Sequence, residues 1–125
     1  MKYIKTTTKN VQEAVEALHK SISENGFGLQ HIHNVTEKLA AKEVELGRQC
    51  QILDICQPHI AKEILDIDPS VSAILPCSIS VFEDNGQTYI CVVKPSAIFP
   101  LLNNQLTEVI SKVEKTIFKI IDEAI

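Results

Sequence analysis

The segment LPCSISVFEDNGQTYICVVKP, residues 75–95, predicts a β-hairpin at the centre of the fold. Its Asn85-Gly86 pair suits a two-residue type I′ turn, in which both central residues need a positive φ. Counting outward from the turn gives the register: Asp84 with Gln87, Glu83 with Thr88, Phe82 with Tyr89, Val81 with Ile90, Ser80 with Cys91, Ile79 with Val92, Ser78 with Val93 and Cys77 with Lys94. A slip of one residue would exchange the two faces, so this register is a specific prediction.

The two faces of this hairpin differ in chemistry. One face is apolar at its centre, where Val81 and Ile90 meet, and we expect it to pack on helices. The other face is mixed and consists of Ser78, Ser80, Phe82, Tyr89 and Cys91. It is too apolar for ordinary solvated surface and too polar for a deep core. It suits a dimer contact, a ligand groove or a half-exposed sheet.

Length and charge narrow the class of protein. The 125 residues, 45% of them apolar and 22% charged, are typical of one globular domain, residues 1–125. The net charge is −4 and Lys and Arg do not cluster, so nucleic acid and anionic membranes are poor partners. No apolar run approaches a membrane span, and Met1 to Lys5 is too charged for a signal peptide. We expect a cytoplasmic protein with reduced cysteines.

The first half of the chain alternates strands and helices. Residues 2–7 predict a strand, and Asn10 with Glu13 forms the capping box of a helix that ends at Asn25-Gly26. Residues 27–34 predict a second strand, with one face composed of Phe27, Leu29, His31 and His33. Thr36 is the expected cap of a short helix over residues 37–43. Residues 50–56 predict a third strand, and Pro58 opens the next helix.

The second half closes with helices. After the hairpin, Pro95-Ser96 begins a short helical turn that Pro100 is expected to interrupt. The last helix is predicted over residues 106–125, with a continuous apolar stripe at helical spacing. This element order favours an α+β fold, a mainly antiparallel sheet with helices packed on one face. A parallel flavodoxin-like sheet is the alternative, although its strands should be more continuously apolar.

Cys56 is the most suggestive position for chemistry. It ends a strand two residues before Pro58, and the N–H groups of a helix start favour a thiolate. His59 follows three residues later, so the two side chains form a candidate thiol–imidazole pair or two metal ligands. The alternative is a small, inert cysteine buried at a strand end.

Cys77 is the second candidate thiol. In the predicted register it faces Lys94, and a nearby ammonium group would lower the pKa of a thiol. Cys56 and Cys77 would approach each other if their strands are neighbours. His31 and His33 are weak candidates for metal ligands, because a site needs further ligands. There is no Cys-x-x-Cys and no motif that specifies a reaction or a cofactor, so we predict no cofactor.

Four short motifs resemble the family known as domain of unknown function 302. They are Gly26-Phe27-Gly28, Ile55-Cys56-Gln57-Pro58, Leu75-Pro76-Cys77 followed by Ser78-Ile79-Ser80-Val81-Phe82-Glu83, and Lys94-Pro95. Gln57 stands where the family commonly has Asn. The resemblance implies a curved antiparallel sheet with helices on one side, similar to the TATA-binding-protein-like fold, and a homodimer. The family's typical cysteines fall on Cys56 and Cys77.

These observations leave three hypotheses about function. The first is a non-enzymatic dimeric module that uses the mixed hairpin face for self-association or for a small-molecule ligand. The second is a thiol site for sulfur, redox or soft-metal chemistry, with Cys56 and Cys77 tuned by His59 and Lys94. The third is a metal held by His31, His33 and a cysteine.

Overall fold

The computed structural model describes residues 1–125 as one antiparallel sheet with helices packed on it. The strands are β1 (Lys2–Thr7), β2 (Gly28–Asn34), β3 (Cys50–Cys56), β4 (Cys77–Asp84) and β5 (Gln87–Val93), in the spatial order β1-β5-β4-β3-β2. The helices are α1 (Val11–Glu24), α2 (Val35–Ala40), α3 (Pro58–Ile67), α4 (Pro95–Leu102) and α5 (Thr107–Ala124). The predicted α+β class is therefore confirmed, and the parallel alternative is wrong. None of the helices is long and apolar enough to span a membrane.

The hairpin forms as predicted near its turn. Asn85 and Gly86 have φ values of 50° and 77°, as a type I′ turn requires. The register is confirmed from Asp84 opposite Gln87 to Ser80 opposite Cys91. The pairing of Cys77 with Lys94 is wrong, because the ladder between β4 and β5 ends at Ser80 and Cys91, and Lys94 is the residue before the first turn of α4.

One face of the sheet, the covered face, carries the main core. Leu53, Ile79, Val81 and Ile90 are fully buried there against the apolar stripes of α1 and α5. Tyr3 also packs at this face: its ring stacks on Phe118 with centroids 3.8 Å apart. The alternation of buried and partly exposed residues along β3 and β4 follows from the two-residue period of a strand.

A second, smaller core lies between α3, α4 and α5. Its buried members are Ile64, Val71, Phe99, Leu106, Val109 and Ile110. Ile60 and Cys77 pack against both cores, so they mark the boundary between the two cores.

Local capping accounts for where the helices begin. The capping box of Asn10 and Glu13 is present at α1. At α3, the side-chain oxygen of Gln57 accepts the N–H of Ile60 at 3.0 Å, so this longer amide does the capping that the family's Asn would do. The expected Thr36 cap is wrong. Asn34 caps α2, and the Thr36 hydroxyl instead joins α2 to the start of β3.

Two further predictions need correction. A register shift between Leu29 and His31 leaves Gln30 as an extra residue in β2. A bulge of this kind moves the residues after it to the opposite face, so His31 and His33 do not share a face with Leu29.

Pro100 does not interrupt α4, which continues to Leu102. The carbonyl that this proline leaves unpaired belongs to Ser96, which is exposed to solvent.

Candidate functional site

The register lines up side chains in rows across the face of the sheet that α1 and α5 do not cover, here called the open face. One row runs through all five strands and consists of Ile4, Cys91, Ser80, Ile52 and His33. A second row consists of Thr6, Tyr89, Phe82 and Cys50. None of these residues belongs to either hydrophobic core. The five residues of the predicted mixed face therefore do lie together, on one side of the sheet.

The centre of the open face is apolar but only partly buried. The rings of Phe82 and Tyr89 stack with their centroids 5.3 Å apart. Ile4 and Val93, near the β1 edge, retain 43% and 42% of their accessible surface. The helices leave these side chains half exposed, although the strands that carry them also build the core.

A polar cluster occupies the β2 side of the open face. Ser78 donates its hydroxyl to one carboxylate oxygen of Asp54 at 2.9 Å, and His33 Nε2 lies 2.7 Å from the other. Lys38 Nζ lies 2.9 Å from His33 Nδ1, so the lysine donates to Nδ1 and the Nε2–H donates to Asp54. Burial opposes ionisation of Asp54, but these hydrogen bonds and the nearby imidazoles outweigh it and hold its pKa below the usual value.

The structure places no third metal ligand beside His31 and His33, as a metal site would need. The rings of His31 and His33 meet edge to face with centroids 4.4 Å apart. Both nitrogens of His33 are engaged, one by Asp54 and one by Lys38. No group of three or more His, Cys, Asp or Glu side chains is arranged to hold a metal ion.

The two candidate thiols line one cavity on the other side of the molecule. This cavity of about 280 Å³, here called the thiol cavity, lies between the end of β3, the start of β4 and α3. It is lined by Phe27, Ile55, Cys56, Gln57, Ile60, Ala61, Ile64, Leu75, Pro76, Cys77 and Val113. β3 and β4 are neighbours in the sheet, which is the condition under which the sequence predicted that Cys56 and Cys77 approach each other.

The electrostatics of Cys77 differ from the prediction. Burial, and second the neighbouring Cys56, raise the pKa of the Cys77 thiol to about 11. The expected lowering of this pKa by Lys94 is therefore wrong, and Cys77 is an uncharged thiol at neutral pH. His59 is exposed on the first turn of α3, does not line the cavity and makes no hydrogen bond to Cys56.

Sequence reasoning missed two components of these sites. Asp54 was overlooked as the centre of the polar cluster, although a carboxylate inside the apolar strand CQILDIC was a usable signal. Phe27, which directly precedes β2, and Val113 of α5 complete the lining of the thiol cavity. No pattern in the sequence links them to the cysteines, because they are brought together only by packing.

Comparisons with known proteins agree on family and fold. The model of the family described as domain of unknown function DUF302 matches residues 3–124 of the chain. The chain is also similar to a solved structure described as the crystal structure of the uncharacterized conserved protein DUF302 from Bacillus stearothermophilus. The two share 30% sequence identity with a TM-score of 0.94 over 99% of this chain and 98% of that one. No curated protein matches the sequence.

Proposed function

The chain belongs to the DUF302 family, and we propose that it is a non-enzymatic binding module that works as a homodimer. The open face of the sheet is the contact between the two copies. The proposal also places the protein in the cytoplasm. All four cysteines are free thiols, the state that a reducing compartment maintains.

The observation that carries this proposal is the apolar, uncovered centre of the open face. Five strands spaced about 4.8 Å apart and about 20 Å long present a face of roughly 500 Å². The apolar centre is a part of this face, and contiguous exposed apolar patches of a few hundred Å² mark interaction sites in soluble proteins. A second copy is the occupant that needs no other component, since a two-fold axis brings the same patch from both chains together.

The polarity of the open face also fits a contact between proteins. Its apolar centre, with Phe82 stacked on Tyr89, is flanked on the β2 side by the Asp54 cluster. Stable interfaces have this arrangement of an apolar core with a polar rim. The cluster is already satisfied internally, so His33 and Asp54 would not be left without partners when water is excluded.

The experiment is a measurement of molar mass by light scattering at micromolar concentration, with a matched pair of variants. Val93→Gln changes the open face, and Val44→Gln changes a residue that is 51% exposed in the loop before β3. We expect wild type and Val44→Gln to be dimers. We expect Val93→Gln to dissociate about tenfold to a hundredfold more readily, because the two-fold axis doubles the loss of apolar contact. A monomeric wild-type protein contradicts the proposal.

A thiol-based site is the second candidate function. The observation in its favour is that Cys56 and Cys77, and neither of the other two cysteines, line the thiol cavity. The raised pKa of Cys77 disfavours a role for this residue as an attacking thiolate. In this candidate, Cys56 is therefore the residue that reacts with sulfur compounds or binds a soft metal, and Cys77 is its neighbour.

Single Cys→Ser variants distinguish the two candidates. If the thiol site is the function, Cys56→Ser and Cys77→Ser abolish any reaction with persulfides or binding of Cu(I) that Cys50→Ser leaves intact. Equal behaviour of the Cys50, Cys56 and Cys77 variants rules out the thiol function and leaves the dimeric module as the remaining candidate.

A further inference from the structure

The thiol cavity lies where the two hydrophobic cores meet without merging. Phe27, Ile55 and Val113 in its wall belong to the main core, and Ile64 belongs to the second. Between them, Ile60 and Cys77 pack against both cores. Much of the wall is therefore made of side chains that the two cores hold in place.

The thiol cavity is a pocket open to solvent on one side, and it is large enough for a small ligand. A dry engineered cavity of about 150 Å³ holds benzene, and the thiol cavity measures about 280 Å³. Small-molecule pockets begin at roughly this volume.

The lining has no charge and little polarity. None of the eleven lining residues is an acidic, basic or histidine side chain, and burial raises the pKa of the Cys77 thiol to about 11. No side chain in the wall carries a charge that could pair with an ionised ligand, so charged molecules are disfavoured there. An apolar ligand would instead restore the packing contacts that the wall residues lack.

One polar group in the wall is available to orient a ligand. The side-chain oxygen of Gln57 is occupied by the N–H of Ile60, which fixes the amide at the start of α3. Its Nε2 makes no hydrogen bond within the chain and has two hydrogens to donate. A ligand that offers a hydrogen-bond acceptor at this end of the cavity would satisfy this donor.

We propose that the thiol cavity binds a small uncharged molecule with an apolar body of about a dozen heavy atoms and one hydrogen-bond acceptor. This site is separate from the open face and does not depend on the dimer. It assigns Gln57 as the residue that orients the ligand, and the isoleucines of β3 and α3 as its apolar contacts.

Three probes of matched shape test the proposal by methyl NMR of the wild-type protein. They are 2-acetylnaphthalene, which is uncharged with an acceptor, 2-ethylnaphthalene, which lacks the acceptor, and 2-naphthoate, which is charged. We expect 2-acetylnaphthalene to give saturable shifts at the methyl groups of Ile55, Ile60 and Ile64. We expect 2-naphthoate to bind at least tenfold more weakly and 2-ethylnaphthalene severalfold more weakly than 2-acetylnaphthalene.

Two variants locate the binding and separate it from the dimer. Ala61→Leu extends a side chain into the cavity and should weaken 2-acetylnaphthalene binding at least tenfold, whereas Ala97→Leu, on α4 and outside the lining, should not. Val93→Gln should bind the probe as wild type does, whatever its oligomeric state.

The proposal is overturned by the absence of saturable shifts at the three isoleucines, by equal affinity for 2-naphthoate, or by unchanged binding in Ala61→Leu. Equal affinity for 2-ethylnaphthalene overturns the assignment of Gln57. Because the wild-type titration is decisive alone, the result stands even where Ala61→Leu does not fold.

Discussion

The two faces of the sheet are built from alternate residues of the same strands, yet they have opposite environments. On the covered face Leu53 and Ile79 have no accessible surface, because α1 and α5 lie over them. On the open face the adjacent residues Ile52 and Ser80 are only half buried. Which face is buried is set by the helices, since the strands contribute apolar side chains to both sides.

This comparison indicates which face contributes to folding and which face is free to contact another surface. A covered face that is already closed contributes to folding, and its residues are unavailable to a partner. The half-buried apolar residues of the open face still contact water. Covering them with another surface would therefore be favourable. The following predictions test whether the two faces differ in this way.

The largest effect is expected from shortening isoleucines on the two faces. Ile79→Ala on the covered face leaves a cavity in the core and should lower the free energy of unfolding by about 2–5 kcal/mol. Ile52→Ala, on the adjacent strand and the open face, should cost about 1 kcal/mol, because little buried apolar surface is lost. Urea unfolding monitored by circular dichroism measures both. Equal losses would show that the two faces do not differ in burial.

A second difference should appear in the reactivity of cysteines on the two faces. Cys77 belongs to the covered face, and its raised pKa of about 11 leaves very little thiolate at pH 8. Cys91 lies on the open face. Its pKa is raised by burial, which the charge of Lys2 partly offsets. We expect iodoacetamide to modify Cys77 at least about tenfold more slowly than Cys91 at pH 8 in the Val93→Gln variant, at a concentration where light scattering shows a monomer.

Peptide mass spectrometry resolves the four alkylation rates in one experiment, with Cys50→Ser confirming the peptide assignment. In the wild type, we expect Cys91 to react more slowly than in Val93→Gln, because the proposed dimer contact covers it, while the rate at Cys77 stays unchanged. A rate at Cys77 equal to that of Cys91 in Val93→Gln would contradict the assigned burial of Cys77.

The smallest effect concerns the free energy of unfolding at acidic pH, to which the polar cluster around Asp54 contributes. The pKa of Asp54 is lowered in the folded state, so the folded protein holds this proton less tightly than the unfolded chain does. The stabilisation is therefore complete above the unfolded pKa of about 3.9 and is lost as the pH falls through the lower folded value. It should be on the order of 1 kcal/mol, the net contribution of a typical hydrogen bond in a folded protein.

Asp54→Asn tests this prediction when the free energy of unfolding is measured from pH 6 to pH 2. We expect a shallower decline below pH 4 in this variant than in wild type. Asp66→Asn is the control, because the Asp66 carboxylate is exposed and paired only with Lys62 on the same helix. A decline in Asp54→Asn that matches wild type would mean that the hydrogen bonds from His33 and Ser78 do not favour the ionised form.

Local signals in the sequence determined the hairpin, most helix starts and the fold class. Asn85-Gly86 specified the turn and with it the pairing from Asp84 to Ser80, because a positive φ at both positions restricts the turn type. The box of Asn10 and Glu13 specified the start of α1 because its hydrogen bonds connect residues three apart in sequence.

The tertiary structure decided the features that depend on distant residues. The bulge at Gln30 turned His31 and His33 to the open face, where Asp54 and Ser78 meet them through the pairing of separate strands. The thiol cavity likewise needs β3, β4, α3 and α5 together. The sequence alone could name Cys56 and Cys77, but the environment of Cys77 depends on the side chains packed around it. Contacts between residues far apart in the chain are set by packing, and a local pattern has no information about them.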